Sequence, residues 1–508
     1  MAILAMGIAR SAVLLFCLLL SACQAPSDDV IRFGLAAAPD NLDPRFATDA
    51  TSERINRLLY ARLVDFDAAA RPVPALADWQ QLSPRHYRFR LRDNDRLFHH
   101  GERLTATDVA ATYASIIDPR STSPHRGTLA MIKRIEVVDA DRVDFYLHRA
   151  DALFPGYLSI GILPATAIAA KRPFHNAPLG SGPFRFDAWP DPGRLELVRL
   201  RDGQRIRFEQ VKDPTMRVLK LLRNEVDLVQ NDLAPELLQY LRERDDVQVQ
   251  TRPGSSFAYI GFQLEDVDTG NRDVRRAIAL SIDRQAIIRH LFRGAARPAA
   301  SVLPPEHWAG GKGLEAVGRD LAEARRLLQR AGYSAAQPLT LSYKTSSDPF
   351  RLRIATVVQQ QLAEAGIQVK IQSYDWGTFY GDIKAGRFQM YSLSWVGVKL
   401  PDIFRYAFHS ESLPPGGANR GRLQDPRVDT LITRAAQESE LPRQAEHYWT
   451  LQQHLVQLLP YVPLWYEDQF SAVRADINGY QLATDGNYDA LVNVTRASSA
   501  DARSASDG

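Results

Sequence analysis

Hydrophobic positions recur at two spacings along this chain, and the two take turns. "VIRFGL", residues 30–35, alternates as a strand does and gives way to a turn rich in Pro, Asp and Asn. In "TSERINRLLYARLV" the positions Ile55, Leu58, Leu59 and Arg62 fall near helical spacing. "TATDVAATYASIIDP" predicts a second helix. Thr105 or Thr107 can cap it, Asp108 sits in its first turn, and Pro119 ends it; Val109, Tyr113, Ile116 and Ile117 share one face. "RDVRRAIALSIDRQAIIRHLFRG" reads as two helices, the second capped by Asp283, striped by Ile287, Ile288 and Leu291, and stopped by Gly294.

The clearest supersecondary unit follows. "LTLSY" alternates Leu339, Leu341 and Tyr343; "RLRIATVVQQQLAEAG" places Ile354, Val357, Val358 and Leu362 on one helical side before Gly366; "IQVKIQ" alternates Ile367, Val369 and Ile371. This is a β-α-β unit, and its crossover is expected to be right-handed. "RFQMYSLSWVG" adds a strand apolar on both faces, as inside a covered sheet. No internal repeat is present, and only the C-terminal "RASSADARSASDG" has the composition of a disordered tail.

The pattern breaks at the N-terminus. Arg10 precedes an apolar run from Ala12 to Leu20, short for a transmembrane helix and normal for a signal-peptide core. The run ends in Leu20-Ser21-Ala22-Cys23, which resembles the bacterial lipobox, with Cys23 as the lipidated residue. An ordinary secretory signal with an incidental cysteine is the other reading. Several acyl chains, at about 0.8 kcal/mol per buried methylene, make such an anchor effectively permanent. Residues 24–29 then read as a polar tether, and Met6 is an alternative start.

Composition narrows the function. A chain of 508 residues suits two or three domains, and a formal charge of +3 supplies no basic field for nucleic acid. The only cysteines are Cys17 and Cys23, so the body has neither a disulfide nor a cysteine metal site. No other stretch is apolar enough to span a bilayer. Catalytic motifs are missing. In "LGSGP", Leu179 and Pro183 stand where a nucleophile elbow needs glycines, and neither a zinc-protease helix nor a phosphate loop occurs. His99 and His100 are adjacent, so their rings diverge and they read as turn or surface residues. The chain is therefore expected not to be an enzyme and to need no cofactor or metal.

The order of longer motifs adds a resemblance. "DNLDPRFATDATSERINRLLYARLVDFD", "FHHGERLTATDVAATYASIIDP", "PLGSGPFRF", "YIGFQLED…NRDVRRAIALSIDRQAIIRHLFRGAARPAASVLPPEHW" and "LAEARRLLQRAGY" resemble, in sequence order, the solute-binding family 5 proteins. These are extracytoplasmic receptors of ABC importers for oligopeptides, dipeptides, nickel complexes and some sugars. The likeness runs from about Val30 to about Val494. It implies an α/β, two-lobed periplasmic-binding-protein fold of type II with an extra subdomain. Lobe 1 would hold residues 30–63, 178–255 and 470–500, with 64–177 inserted; lobe 2 would hold 256–469. Residues 1–22 would be the signal peptide, 23–29 the tether and 501–508 a disordered tail. Crossings near Arg252–Ser255 and Gln469–Val473 would form a hinge.

Ligands of open α/β sheets bind beyond the carboxyl ends of strands, and the strand expected over 387–394 delivers Trp395, Val396, Gly397 and Val398 to such an end. By resemblance this segment lines the cleft and pairs with an extended peptide; the alternative is that Trp395 is core. Thr48, Asp49 and Ala50 would face it from the first lobe, and Trp376 matches a family aromatic near the site. Peptide-binding relatives usually carry Asp where Val398 stands, to take the peptide's ammonium. Either another acid such as Asp49 or Asp402 substitutes, or the ligand lacks an ammonium there. Lys344 lies close to a carboxylate-binding position of dipeptide binders, a solvated surface lysine being the alternative. The resemblance thus implies a monomeric, lipid-anchored binding protein on the periplasmic side, with a peptide or peptide-like ligand and a membrane permease as partner. The alternatives are a lipid-anchored envelope hydrolase, or the same fold serving a metallophore, an oligosaccharide or sensing.

Overall fold

In the computed structural model, which describes residues 30–93 and 96–497, the alternation at 30–35 becomes a strand covered on both faces. It is β1 (Val30–Leu35), joined by β2 (Phe184–Asp191), β3 (Arg194–Arg199), β4 (Arg205–Gln210), β5 (Leu228–Gln230), β6 (Val247–Phe262), β7 (Thr340–Ser346), β8 (Gln368–Tyr374), β9 (Met390–Trp395) and β10 (Tyr461–Arg474). These lie in the order β8-β7-β9-β6-β10-β5-β1-β4-β3-β2, and Ala296–Pro298 adds an eleventh strand beside β10. The leader, the tether with Cys23 and the tail expected at 501–508 lie outside the described residues. Among the described residues no helix is long and apolar enough to cross a membrane.

The β-α-β unit forms as its periodicity predicts. β7 and β8 pair in parallel, Leu341 beside Val369 and Tyr343 beside Ile371, joined by helix Pro349–Glu364, whose N-terminus Asp348 caps at 2.9 Å. β9 differs from expectation. Met390 and Tyr391 are buried, but Ser392 to Trp395 are only half-buried, so the covered strand emerges at its carboxyl end.

Helix α1 (Ala50–Leu59) starts where Asp49 accepts the amide of Ser52 at 2.8 Å. It buries Ile55, Leu58 and Leu59 and stops at Tyr60, which is extended, so Arg62 falls outside it and bonds Asp65 at 2.8 Å. The "LGSGP" glycines belong to this stop. A Cβ on Gly180 would lie 1.9 Å from the Leu59 carbonyl oxygen, and one on Gly182 2.3 Å from that of Leu58. The second helix is capped by Thr105 with Asp108 completing a capping box, and Ile116 faces the core while Ile117 is half-buried.

Two strands run through both halves of the sheet. β6 and β10 pair antiparallel, but the register breaks between Arg252, opposite Gln469, and Ser256, opposite Glu467. Three residues of β6 there face one of β10, a bulge in β6. On one side the sheet is sandwiched by a cluster around Ile260, Ile278 and Trp465 and by another around Tyr259, Phe404 and Tyr448. On the other side the clusters gather around Phe33 and Leu59 and around Val218 and Val229. The chain thus forms two lobes sharing one sheet. A separate antiparallel sheet, Ala77–Ser83, His86–Leu91, Arg142–Leu147 and Ile132–Val137 in that order, has its own core around Phe89, Tyr113 and Phe145. It is not free-standing: Leu153 inserts into the cluster of Phe404 and Tyr448, and the Trp308 amide donates to the Ala69 carbonyl at 2.9 Å.

Candidate ligand-binding site

Trp395 ends β9 opposite Phe257, one residue beyond the bulge. It is half-buried against its lobe's core, near-parallel to Tyr259 at 6.3 Å and edge-on to Tyr406 at 6.0 Å. Its position is intermediate between the two expectations, with one face packed and the following chain open. Val396 and Gly397 are exposed, Gly397 turns with φ at +70°, and Val398 is half-buried. Lys399 then reaches across the gap between the lobes, its Nζ 3.0 Å from Asp485 and over the ring of Phe66.

The opposite wall is the N-terminus of α1. Thr48 and Ala50 are exposed, while Asp49 is half-buried in its capping bond. One turn on, Glu53 is exposed in area yet surrounded by protein. That enclosure, then the charge of Asp49, pushes its carboxyl up to about 7 against the pull of Lys399. A side chain wet at its tip and enclosed on several sides marks a cleft. Asp232 behaves alike: it is exposed, but burial by its surroundings raises it despite Arg217, Arg54 and Arg351. Arg351 forms a two-point ion pair with Glu467 beside the bulge, at 2.5 and 3.0 Å. The structure therefore brings the N-terminus of α1, with Thr48-Asp49-Ala50, near the segment that follows Trp395, with Lys399 linking the two sides.

Other expected residues lie differently. Trp376 opens helix Trp376–Lys384 and is exposed, stacked on Tyr380 at 5.3 Å. Lys344 is buried, with its Nζ 2.6 Å from Asp382, so its charge is met within the protein and it is not a solvated surface lysine. Asp402 is no simple substitute for the missing acid. Burial, then the nearby Asp151, pushes its carboxyl up to about 7, which leaves it partly protonated near neutral pH. His99 bonds the Gly182 carbonyl and His100 pairs with Glu102, and no metal-sized group of His, Cys, Asp and Glu occurs among the described residues. A cavity of about 350 Å³ lies away from the gap, between Arg57, Arg62 and Gly182, where Asp65 and Asp489 pair the arginines.

Sequence reasoning missed Glu53, Asp232, Lys399, Asp485, Tyr380 and Tyr406. Tyr380 was within reach, four residues after Trp376 on the same helix. Glu53 sits within the "TSERINRLLYARLV" stretch, but nothing local marks it as a cleft residue; the others come from segments with no motif and meet only through the fold.

Comparisons with known proteins bear on the family and the fold. The family model for bacterial extracellular solute-binding proteins, family 5 middle region, matches residues 71–412. A dipeptide-binding protein of Pseudomonas aeruginosa is 25% identical over 491 residues, covering 88% of this chain and 91% of the relative. Di/tripeptide-binding protein 2 of the same species is 28% identical over 488 residues, with 88% and 91% covered. Among solved structures, the ABC transporter-associated periplasmic binding protein DppA from Helicobacter pylori, in complex with peptide STSA, matches with a TM-score of 0.79 at 23% identity. That match covers 92% of this chain and 98% of the other.

Proposed function

The chain belongs to the bacterial extracellular solute-binding proteins of family 5, and on that premise we propose that it captures a peptide or peptide-like ligand between its lobes and delivers it to an ABC importer. It is an extracytoplasmic binding protein and not an enzyme. The peptide reading is supported by the relatives named for dipeptides and di- or tripeptides. The observation that supports it is the Lys399–Asp485 ion pair at 3.0 Å together with the Lys399 charge felt at Glu53, which bring the segment after Trp395 near the N-terminus of α1; in this reading Trp395–Val398 forms one wall of the gap and Thr48–Ala50 the other. An extended ligand would pair with backbone at Val396-Gly397-Val398, with Trp395 and Trp376 framing its side chains. In this reading lobe 1 spans residues 30–63, 178–255 and 470–500, with 64–177 inserted, and lobe 2 spans 256–469. The broken register of β6 and β10 is the hinge. Cys23 carries the lipid that holds the monomer beside its permease.

The test is binding with a shape readout. The purified protein, offered short peptides of two to five residues, is expected to melt at higher temperature and to scatter with a smaller radius of gyration. A flat response to peptides, metallophores and oligosaccharides alike would sink the reading.

A further inference from the structure

Arg420 is 6% exposed, lies in the loop after helix Ile403–Phe408, and projects beneath the half-buried face of Trp395. Its guanidinium is 4.8 Å from the Trp395 ring centre and 5.4 Å from that of Tyr380. It donates to the Tyr259 hydroxyl at 3.0 Å and the Tyr380 hydroxyl at 3.2 Å. Among the described residues no carboxylate lies within ion-pair distance of it. The acids of this region are already paired: Asp382 with Lys344 and Arg387, Glu265 with Arg422. A second cation, Lys384, lies 5.1 Å from the Tyr380 ring, so two positive charges flank that side chain.

The Trp395 indole N–H and the hydroxyls of Tyr259, Tyr391 and Tyr461 are crowded together here, so these neutral groups meet one another and none of them brings a negative charge to Arg420. A buried cation with only neutral neighbours is costly unless an acceptor of opposite charge arrives from outside. The way in is marked by the outer aromatic of each row. Trp376, stacked on Tyr380, is 59% exposed, and Tyr406, against Trp395, is 45% exposed.

We propose that this aromatic box is an anion-receiving subsite of the cleft, in which Arg420 takes a carboxylate of the ligand and Trp376 and Trp395 flank the group that carries it. The proposal rests on the reading of the gap as the ligand site and narrows its ligands to those bearing an acid at this point. The carboxylate is either a side-chain acid or the chain end of a peptide, and the two sources separate experimentally.

Ala-Glu-Ala and Ala-Gln-Ala are each offered with a free and an amidated C-terminus, alongside glutarate and its diamide, and binding is measured by calorimetry. Loss of one particular carboxylate is expected to weaken binding at least about tenfold. Arg420→Met should erase that difference, and Arg420→Lys should restore part of it. If acid and amide forms bind the wild-type protein within about a factor of two, or Arg420→Met keeps the preference, the subsite is wrong while peptide binding stands. If no peptide binds but glutarate does, with dependence on Arg420, the subsite stands and the peptide reading falls. If neither binds, the subsite is refuted as well. The wild-type comparison decides the matter even if the methionine variant fails to fold.

Discussion

Asp151 and Asp402 meet where the inserted sheet leans on the second lobe. Asp151 is 4% exposed and accepts the Leu153 amide, yet burial pushes its carboxyl up to about 6. Its charge is one reason Asp402 rises to about 7, while Arg149 and Arg405 oppose the rise of Asp151. The folded protein therefore holds these protons more tightly than the unfolded chain. The contribution of this pair to stability is fully present below the ordinary carboxylate range and is lost as pH climbs from about 4 to about 7. Asp151→Asn is expected to match the wild type at pH 4 and exceed it at pH 8 by up to about 3 kcal/mol, read from denaturant melts. Equal stabilities at both pH values would remove the charge from the account. Nothing in the sequence announced this pair, because the two residues lie far apart in the chain. Lys344 shows the same limit: its strand was legible, but its partner Asp382 comes from a different element.

At the scale of elements the sequence speaks more clearly, because a helix or strand is written in its own residues. The β-α-β unit, the capped helix at 106–117 and the Asp283-capped helix all appear with most of each expected apolar face buried, Ile117, Leu291, Val357 and Ile371 being only half-buried. Asp348 makes a similar cap for helix Pro349–Glu364, and Asp348→Ala should cost about 1 kcal/mol in a chemical denaturation midpoint. A cost near zero would mean that packing alone holds that end. What periodicity could not show is where elements stop. α1 ends at Tyr60 because the tyrosine ring is wholly buried and its hydroxyl bonds the Leu42 carbonyl at 2.9 Å, a contact made outside the helix. The bulge in β6 is equally silent, since its partner strand lies about two hundred residues away.

For the whole molecule, family membership and two-lobed architecture were readable from ordered motifs, whereas the wall-to-wall geometry of the gap was not. Its chemistry gathers residues from α1, the loop after β9 and the segment near Asp485, which no local window contains. Leu153 matters most at this scale. It follows the last strand of the separate sheet in the chain, but its side chain is 3% exposed in the core of Phe404 and Tyr448. The Ala152 amide beside it donates to the Ala436 carbonyl at 3.2 Å, and Leu400 presses on Gly156. Leu153→Ala should shift the empty protein toward a larger radius of gyration and cost about 2–5 kcal/mol in stability; an unchanged scattering profile would separate this anchor from the motion. The wider consequence concerns timing. A receptor whose halves were joined only by β6 and β10 could swing ajar at almost no expense, and a guest would slip away as readily as it came. In the hinge motion proposed above, a leucine is drawn from an oily socket before the jaws part, and the dwell time of a cargo then depends on this plug as well as on the cargo's own grip.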